Sequence, residues 1–312
     1  MSKSVIQYQV GVSSFKFLEM FGAELQCIQY LYNLKYPLGY SCHRCDHRKY
    51  YFINRGLVLQ CAICCAQKSL KAETLFAHSK LSLRHWFWAI YLITQSKKSI
   101  SCMALKRFLG VQYNTAWLMH QKIMQGLATQ DKCCLLSGDV HIDDGYIGGR
   151  CEGGKRGRGS ENKSVFIMGL SLKDGKPHQL KTTQLDKLNQ EQVCAWAKEH
   201  IEDPAHLHSD ALLALKGLSQ AGFTHESYVI KDDLNLRDSL FMMMNTVMGN
   251  LKRYLLGIHH ALSPQRLQRY LSAFSWRFNQ RYDLEQAFKN AIVAVFYSKP
   301  LTHANLLHEL SA

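Results

Sequence analysis

Two sets of residues in this 312-residue chain have types and spacings suited to chemistry. Cys42, Cys45, Cys61 and Cys64 follow C-x2-C-x15-C-x2-C, a spacing at which two knuckles close four thiolates around one structural zinc ion. Downstream lie Asp143 in VHIDDGYIGG and Asp210 in HLHSDALLAL, then Asn245 and Lys252 in MMMNTVMGNLKRYLLG. Oxygen donors converging from separate elements suit Mg2+, with Mn2+ able to substitute. Two such ions can activate an attacking oxygen and stabilise a leaving oxygen in phosphodiester chemistry.

Each set needs elements to position it. Around the cysteines, YYFIN and LVLQC read as short strands flanking a turn at Arg55-Gly56, a zinc ribbon whose metal offsets a core too small to stand alone. Cys65, His43 and His47 leave the ligand identity open, with Cys64 completing the symmetric pattern. Ahead of the ribbon, Phe15, Leu18, Phe21, Leu25, Ile28 and Tyr32 recur at helical steps, predicting one amphipathic helix over residues 14–35. After it, LRHWFWAIYLITQS is apolar on most sides, a buried helix. Then SCMALKRFLGVQYNTAWLMHQKIMQGL reads helix, turn at Gly110, helix. This is a helix-turn-helix pattern with Gln112 to Lys122 as recognition helix, and a plain helical hairpin reads the same way.

From about residue 137 the pattern is three strands, then alternating helix and strand, the order of an RNase H-like mixed sheet. Asp143 sits mid-strand and Asp210 ends a strand, where a helix-capping role competes with metal binding. Strand alternation points Asp144 away from the Asp143 face. Asn245 and Lys252 are two turns apart on one helix, nearly on one face. Asn245 among methionines also reads as a buried amide, and Lys252 as a solvated helix residue. The expected organisation is multi-domain: an N-terminal helical segment at 1–36, the ribbon at 37–72, a helical helix-turn-helix-like region at 73–136, the RNase H-like domain at 137–298 and a tail at 299–312.

Lys plus Arg number 38 against 24 Asp plus Glu, a formal charge of +14, which favours a polyanionic partner. The glycine-rich segment from Arg150 to Lys163, with Lys155, Arg156 and Arg158, reads as a loop able to follow phosphates or as a solvated surface loop. Eleven cysteines without a signal-peptide pattern point to a reducing cytoplasm rather than a disulfide framework. No apolar run reaches membrane-spanning length, so no membrane partner is expected.

The chain resembles transposases of the IS1595 (ISXO2-like) insertion-sequence family. The likeness is carried by YPLGYSCHRC and LQCAICCAQKS, WFWAIYLITQSKKSIS and LKRFLGVQYNTAW, HIDDGYIGG, SDALLAL, NLKRYLLGIHHALSP and YLSAFSWRFNQR, from about residue 15 to residue 297. The resemblance implies a zinc ribbon, a DNA-binding helical region and an RNase H-like DDE-type catalytic core. In that core Asp143 and Asp210 stand at the acidic positions, Asn245 at the variable third position and Lys252 at the family's lysine. It departs from the family where His141 and Asp144 replace two glutamates, where Ala211-Leu212 follow Asp210 in place of Gly-Trp, and at Ala72-Glu73-Thr74.

The function expected is binding of the element's terminal inverted repeats through the ribbon and the helical region, then Mg2+-dependent strand cleavage and transfer into target DNA. A homo-oligomer would form the active complex, at the nucleoid. Arg253, Arg277 and Arg281 are candidate phosphate contacts. The alternatives are a non-catalytic zinc-ribbon regulator with an inert RNase H-like domain, and a nuclease without strand transfer.

Overall fold

The computed structural model describes residues 11–54, 56–96, 98–132, 135–148, 163–229, 241–259, 262–302 and 305–306. Lys155, Arg156 and Arg158 lie outside them. The chain forms two compact units, residues 1–129 with 280–312, and residues 130–279. No helix among the described residues is long and apolar enough to cross a membrane.

The first unit begins with α1 (Ser14–Phe21) and α2 (Glu24–Lys35) rather than one helix. At Gly22 a Cβ would sit 2.2 Å from the Leu18 carbonyl oxygen, so the chain closes α1 there and restarts. The buried face also differs from the expected stripe. Phe17, Phe21, Cys27, Ile28 and Leu31 point inward, while Phe15 and Leu25 are 79% and 71% exposed. Both stripes satisfy a helical period and share Phe21 and Ile28, the observed one being turned part of the way round toward Phe17 and Leu31. Phe17 packs on Trp88 and Tyr91 at 4.3 and 4.6 Å.

Strands β1 (Tyr50–Ile53), β2 (Val58–Cys61) and β3 (Gln67–Ser69) form the three-stranded antiparallel ribbon. Its aromatic side, Tyr50 and Phe52, meets Tyr32 of α2. Helix α3 (Leu83–Gln95) is buried on most sides, as its composition predicts. The Glu24 carboxylate accepts from the first N–H groups of α3, Leu83 at 2.7 Å and Arg84 at 3.0 Å, using the positive end of the helix dipole.

Helix α4 (Cys102–Leu109) ends at Gly110, whose φ of 65° is the left-handed C-cap that glycine adopts without strain. Helix α5 (Tyr113–Asp131) follows. Within the expected recognition segment, His120, Gln121 and Lys122 are buried. Only the first turn, with Tyr113 and Asn114, faces solvent.

In the second unit, β4 (Leu136–Ile147), β5 (Ser164–Lys173) and β6 (Lys176–Leu185) are antiparallel neighbours. Helix α6 (Gln190–His200) leads to β7 (Ile201–Asp210), and a 3-10 turn with short α7 (Gly217–Gln220) leads to β8 (Thr224–Tyr228). Both β7 and β8 run parallel to β4, in the sheet order β6-β5-β4-β7-β8. This is a mixed, RNase H-like arrangement with β4 central. One face is closed by α6, where Trp196 and Val193 pack with Val140, Ile142, Ile167 and Leu207. Helices α8 (Met242–Ile258) and α9 (Leu267–Asn279) follow. The amides of Gln268 and Asn279 on α9 bond to the backbone of edge strand β6, satisfying an edge that would otherwise invite pairing. Helix α10 (Leu284–Tyr297), grouped by sequence with the α/β region, belongs to the first unit, where Phe288 meets Phe17, Phe21 and Tyr91.

A buried ion pair joins the end of α5 to the sheet. Lys181 on β6 donates to the Asp131 backbone oxygen and lies 3.3 Å from its carboxylate, both side chains being 4% exposed or less. Burial, opposed by Lys181, raises the Asp131 carboxyl to about 6. Removing one partner strands a buried charge. Lys181→Met is expected to cost about 3–5 kcal/mol in denaturant unfolding at pH 7.5, whereas Lys181→Met with Asp131→Leu recovers most of that loss. A double variant no more stable than the single one would contradict this.

Candidate zinc and carboxylate sites

The zinc site is built from two copies of one backbone turn. In the first, Cys42 N–H donates to the His47 oxygen at 3.0 Å; in the second, Cys61 N–H donates to the Ala66 oxygen at 2.9 Å. The residue after the second cysteine of each pair, Asp46 or Cys65, has φ of 55°. Cys65 is therefore a turn residue, exposed, while Cys64 joins the cluster. The sulfurs of Cys42, Cys45, Cys61 and Cys64 lie within 4.8 Å of one another, three of the separations being 3.3–3.6 Å. A tetrahedron with Zn–S bonds of about 2.3 Å has edges of about 3.8 Å. The four thiols fit zinc. The Arg44 N–H, 3.4 Å from Cys42 Sγ, pulls that thiol down to about 6, which favours the thiolate that a metal requires. The cluster contains neither His43 nor His47.

The second cluster arises from strand register. His141 stands opposite His208 and Ile142 opposite Ser209 in the parallel β4–β7 ladder. One residue further on, Asp143 and Asp210 meet. Oxygens of Asp143, Asp144 and Asp210 all lie within 4.8 Å of one another. Asp144 thus differs from its expected outward placement. The β4–β7 ladder ends at the Ile142–Ser209 pair, which leaves β4 an open edge beside which the Asp144 carboxylate reaches the same place. Asp143 Oδ1 accepts from the Asp144 N–H at 2.8 Å. At the following position, a Cβ on Gly145 would lie 2.2 Å from the Phe166 ring, so that ring covers β4 directly beside the acids. Asp210 does cap locally, its Oδ1 accepting from the Leu212 N–H at 3.2 Å, and it belongs to the cluster as well.

Burial, then the neighbouring Asp144 and Asp210 charges, raise the Asp143 carboxyl to about 6, while the Lys252 charge lowers it. Lys252 is exposed on α8, close enough for its charge to act on Asp143. Asn245 is exposed on the same helical face, so the buried-amide reading does not hold; Met244 beside it is the buried residue. Behind the acids lie the rings of His141 and His208, 5.3 Å apart, with Phe241 5.5 Å from His141. Desolvation, then the His208 charge, push His141 down to about 4, so this wall is neutral at His141. Neither Asp144 nor the histidine layer was legible from strand alternation alone. The signal for the layer was the i−2 placement of His141 and His208 relative to the two aspartates.

The arginines divide. Arg253 folds along its own helix, bonding the Gly249 oxygen and Asn250 Oδ1. Arg277 is half-buried with its guanidinium 5.5 Å from the Tyr254 ring centroid. Arg281 stacks on Tyr282 at 4.2 Å. Such stacked guanidiniums have little reach for a phosphate in this arrangement.

Two measurements follow from the two sites. Purified protein is expected to hold one zinc per chain, lost in Cys61→Ser and kept in Cys65→Ser by metal analysis. Structural zinc carries roughly 10–16 kcal/mol of apparent binding energy, so chelation should unfold the ribbon and leave the α/β unit folded. At the acids, the folded state holds an extra proton on Asp143 between about pH 4 and 6, so stability falls as pH rises through that window. Asp143→Asn keeps the acceptor for the Asp144 N–H and removes the charge. Without added divalent ions it should gain about 1–3 kcal/mol at pH 7.5. Thermal melts that fail to converge with wild type below about pH 4 would contradict the assignment.

Two family models match the chain. Residues 135–279 match the ISXO2-like transposase domain, and residues 22–67 match the transposase zinc-ribbon domain. An uncharacterized protein in transposable element ISH50 of Halobacterium salinarum is 22% identical over 275 residues, covering 83% of this chain and 92% of that protein. A solved Mos1 transposase paired-end complex with the left transposon end covers 68% of this chain and 79% of its own at 11% identity. Its TM-score of 0.23 is below the level at which folds are equated. The chain thus carries, in order, the zinc-ribbon domain and the ISXO2-like transposase domain of IS1595 insertion-sequence transposases.

Proposed function

We propose that the protein is a catalytically competent DDE-type transposase that binds its element's terminal inverted repeats, cleaves at them and joins the exposed 3′ ends to target DNA. The single observation that carries this reading is the convergence of Asp143, Asp144 and Asp210 within 4.8 Å. Like charges gathered at a half-buried place, with one carboxyl raised to about 6, form a set of hard oxygen donors suited to Mg2+ or Mn2+. Divalent cations, when bound, supply activation of the attacking oxygen and stabilisation of the leaving oxygen.

The chain's own residues do the rest. Asp143 and Asp210 hold the ligand oxygens at fixed strand positions, and Asp144 adds a third charge beside them. Asn245 offers a neutral amide oxygen from α8, and Lys252, on the same face, holds a phosphate of the scissile strand. The neutral His141 wall excludes water from behind the acids without adding charge. Arg253 and the segment with Lys155, Arg156 and Arg158 contribute phosphate contacts, with Arg277 and Arg281 released from their rings where DNA competes for them. Assembly on two ends calls for more than one copy of the chain, and the reaction takes place on cytoplasmic, nucleoid DNA.

The test is strand cleavage on end-containing duplex with Mg2+ or Mn2+, alongside binding and thermal melting. Asp143→Asn and Asp210→Asn are expected to abolish cleavage and retain end binding. Asp144→Asn should lose roughly 10–100-fold, as groups supporting a metal set do. Asn245→Ala should lose activity that Asn245→Asp partly restores. Full cleavage by Asp143→Asn or Asp210→Asn would overturn the mechanism and favour the inert-domain regulator.

A further inference from the structure

The two zinc knuckles share a backbone and differ in chemistry. Position for position, Arg44 corresponds to Ile63, His47 to Ala66, Arg48 to Gln67 and Lys49 to Lys68. The second knuckle holds its two cysteines with no arginine, and its one cation, Lys68, is paired with Glu73 at 3.1 Å. The positive residues of the first knuckle are therefore not needed to form the turn or to present sulfur. Arg44, Arg48 and Lys49 are all exposed. No hydrogen bond or ion pair of their side chains is found among the described residues. Asp46 is the one acid between positions 43 and 49. Tyr51, 64% exposed, continues the same stretch on β1.

From this asymmetry we infer that the first knuckle is a duplex-DNA phosphate-binding surface, with Arg44, Arg48 and Lys49 as the contacting cations. Side chains that the fold does not require, clustered with one sign and without partners among the described residues, fit a polyanion. Guanidinium forks match phosphate oxygens in particular. The second knuckle, with Ile63 68% exposed, is excluded from that contact by its chemistry. The zinc fixes the register of the three cations, because both turns are pinned to one ion. The contact positions the chain on the duplex and carries no base sequence information. This inference deepens the transposase reading and rests on it for the identity of the polyanion.

The experiment compares wild type with Arg44→Gln/Arg48→Gln/Lys49→Gln in the full-length, zinc-loaded chain. Binding to an end-containing duplex and to an unrelated duplex is measured as a function of salt. Removing each cation–phosphate pairing should lower the log–log salt slope by about 0.9, approaching 2.7 for three, with equal weakening on both duplexes. Zinc content and the ribbon's melting should be unchanged, since each turn uses backbone N–H groups that glutamine keeps. Arg44→Lys/Arg48→Lys, which keeps the charge, should retain the wild-type slope. That variant carries the test if the triple one loses zinc: a slope lowered despite conserved charge overturns the inference. An unchanged slope in the zinc-loaded triple variant also overturns it, while wild-type cleavage of end DNA would leave the transposase reading standing. Absent wild-type cleavage with a lowered slope in the triple variant would instead sink the catalytic reading and keep the knuckle as a DNA-binding surface. A wild type that binds no duplex would overturn both.

Discussion

The parallel ladder between β4 and β7 is the constraint on which the α/β unit depends. Pairing Ile142 with Ser209 brings the next residues, Asp143 and Asp210, side by side. A slip of one residue would turn Val140 and Ile142 out of the core with Trp196 and turn Asp143 into it. The apolar face thus sets the register, and the register sets the acids. Helix α6 enforces this from one side, its Trp196 lying close to Gly169 of β5, where a Cβ would be only 2.7 Å from the indole.

The arrangement works against charge repulsion. Burial and the neighbouring Asp144 and Asp210 charges raise the Asp143 carboxyl, and the Asp144 N–H and the Lys252 charge ease it. The fold tolerates this because the acids lie where the β4–β7 ladder stops, half-buried rather than deep, and because His141 behind them stays neutral. Large covered areas of apolar side chain elsewhere in the unit offset the strain. Under the proposed function this repulsion is what a bound cation would relieve, and a site already relaxed would gain less from one.

Much of this was legible in residue order. The zinc ligands follow from spacing, because a knuckle is a local structure and its geometry is complete within a few residues. The sheet follows from periodicity, and Asp143 and Asp210 from their places on strands. The parts that were not legible depend on where a ladder stops or which face a helix turns inward. Asp144 joins the acids only because β7 ends beside it. The buried stripe of α1 and α2 keeps Phe21 and Ile28 from the periodic reading but turns toward Phe17 and Leu31, a choice made by the packing of Phe17 on Trp88, Tyr91 and Phe288 and not by the period. Likewise α10 reads as a continuation of the α/β region in sequence, and only the packing of Phe288 on Phe17 and Tyr91 places it in the first unit.

The zinc and carboxylate clusters solve one physical problem in two ways. Each gathers groups that repel when ionised, and each needs a scaffold that holds them before the cation arrives. At the ribbon the scaffold is local and weak: short strands, a small aromatic side and two turns that each leave a residue at positive φ. The ion then supplies the folding energy, and the site is closed by four protein ligands. At the acids the scaffold is a five-stranded sheet with a complete core, so the fold does not depend on the ion. A domain that is stable without its cation can leave coordination positions open, and open positions are what chemistry on a bound phosphate requires. Stability drawn from the metal in the ribbon and from apolar packing in the α/β unit would therefore, under the proposed function, separate a structural ion from a catalytic one within a single chain.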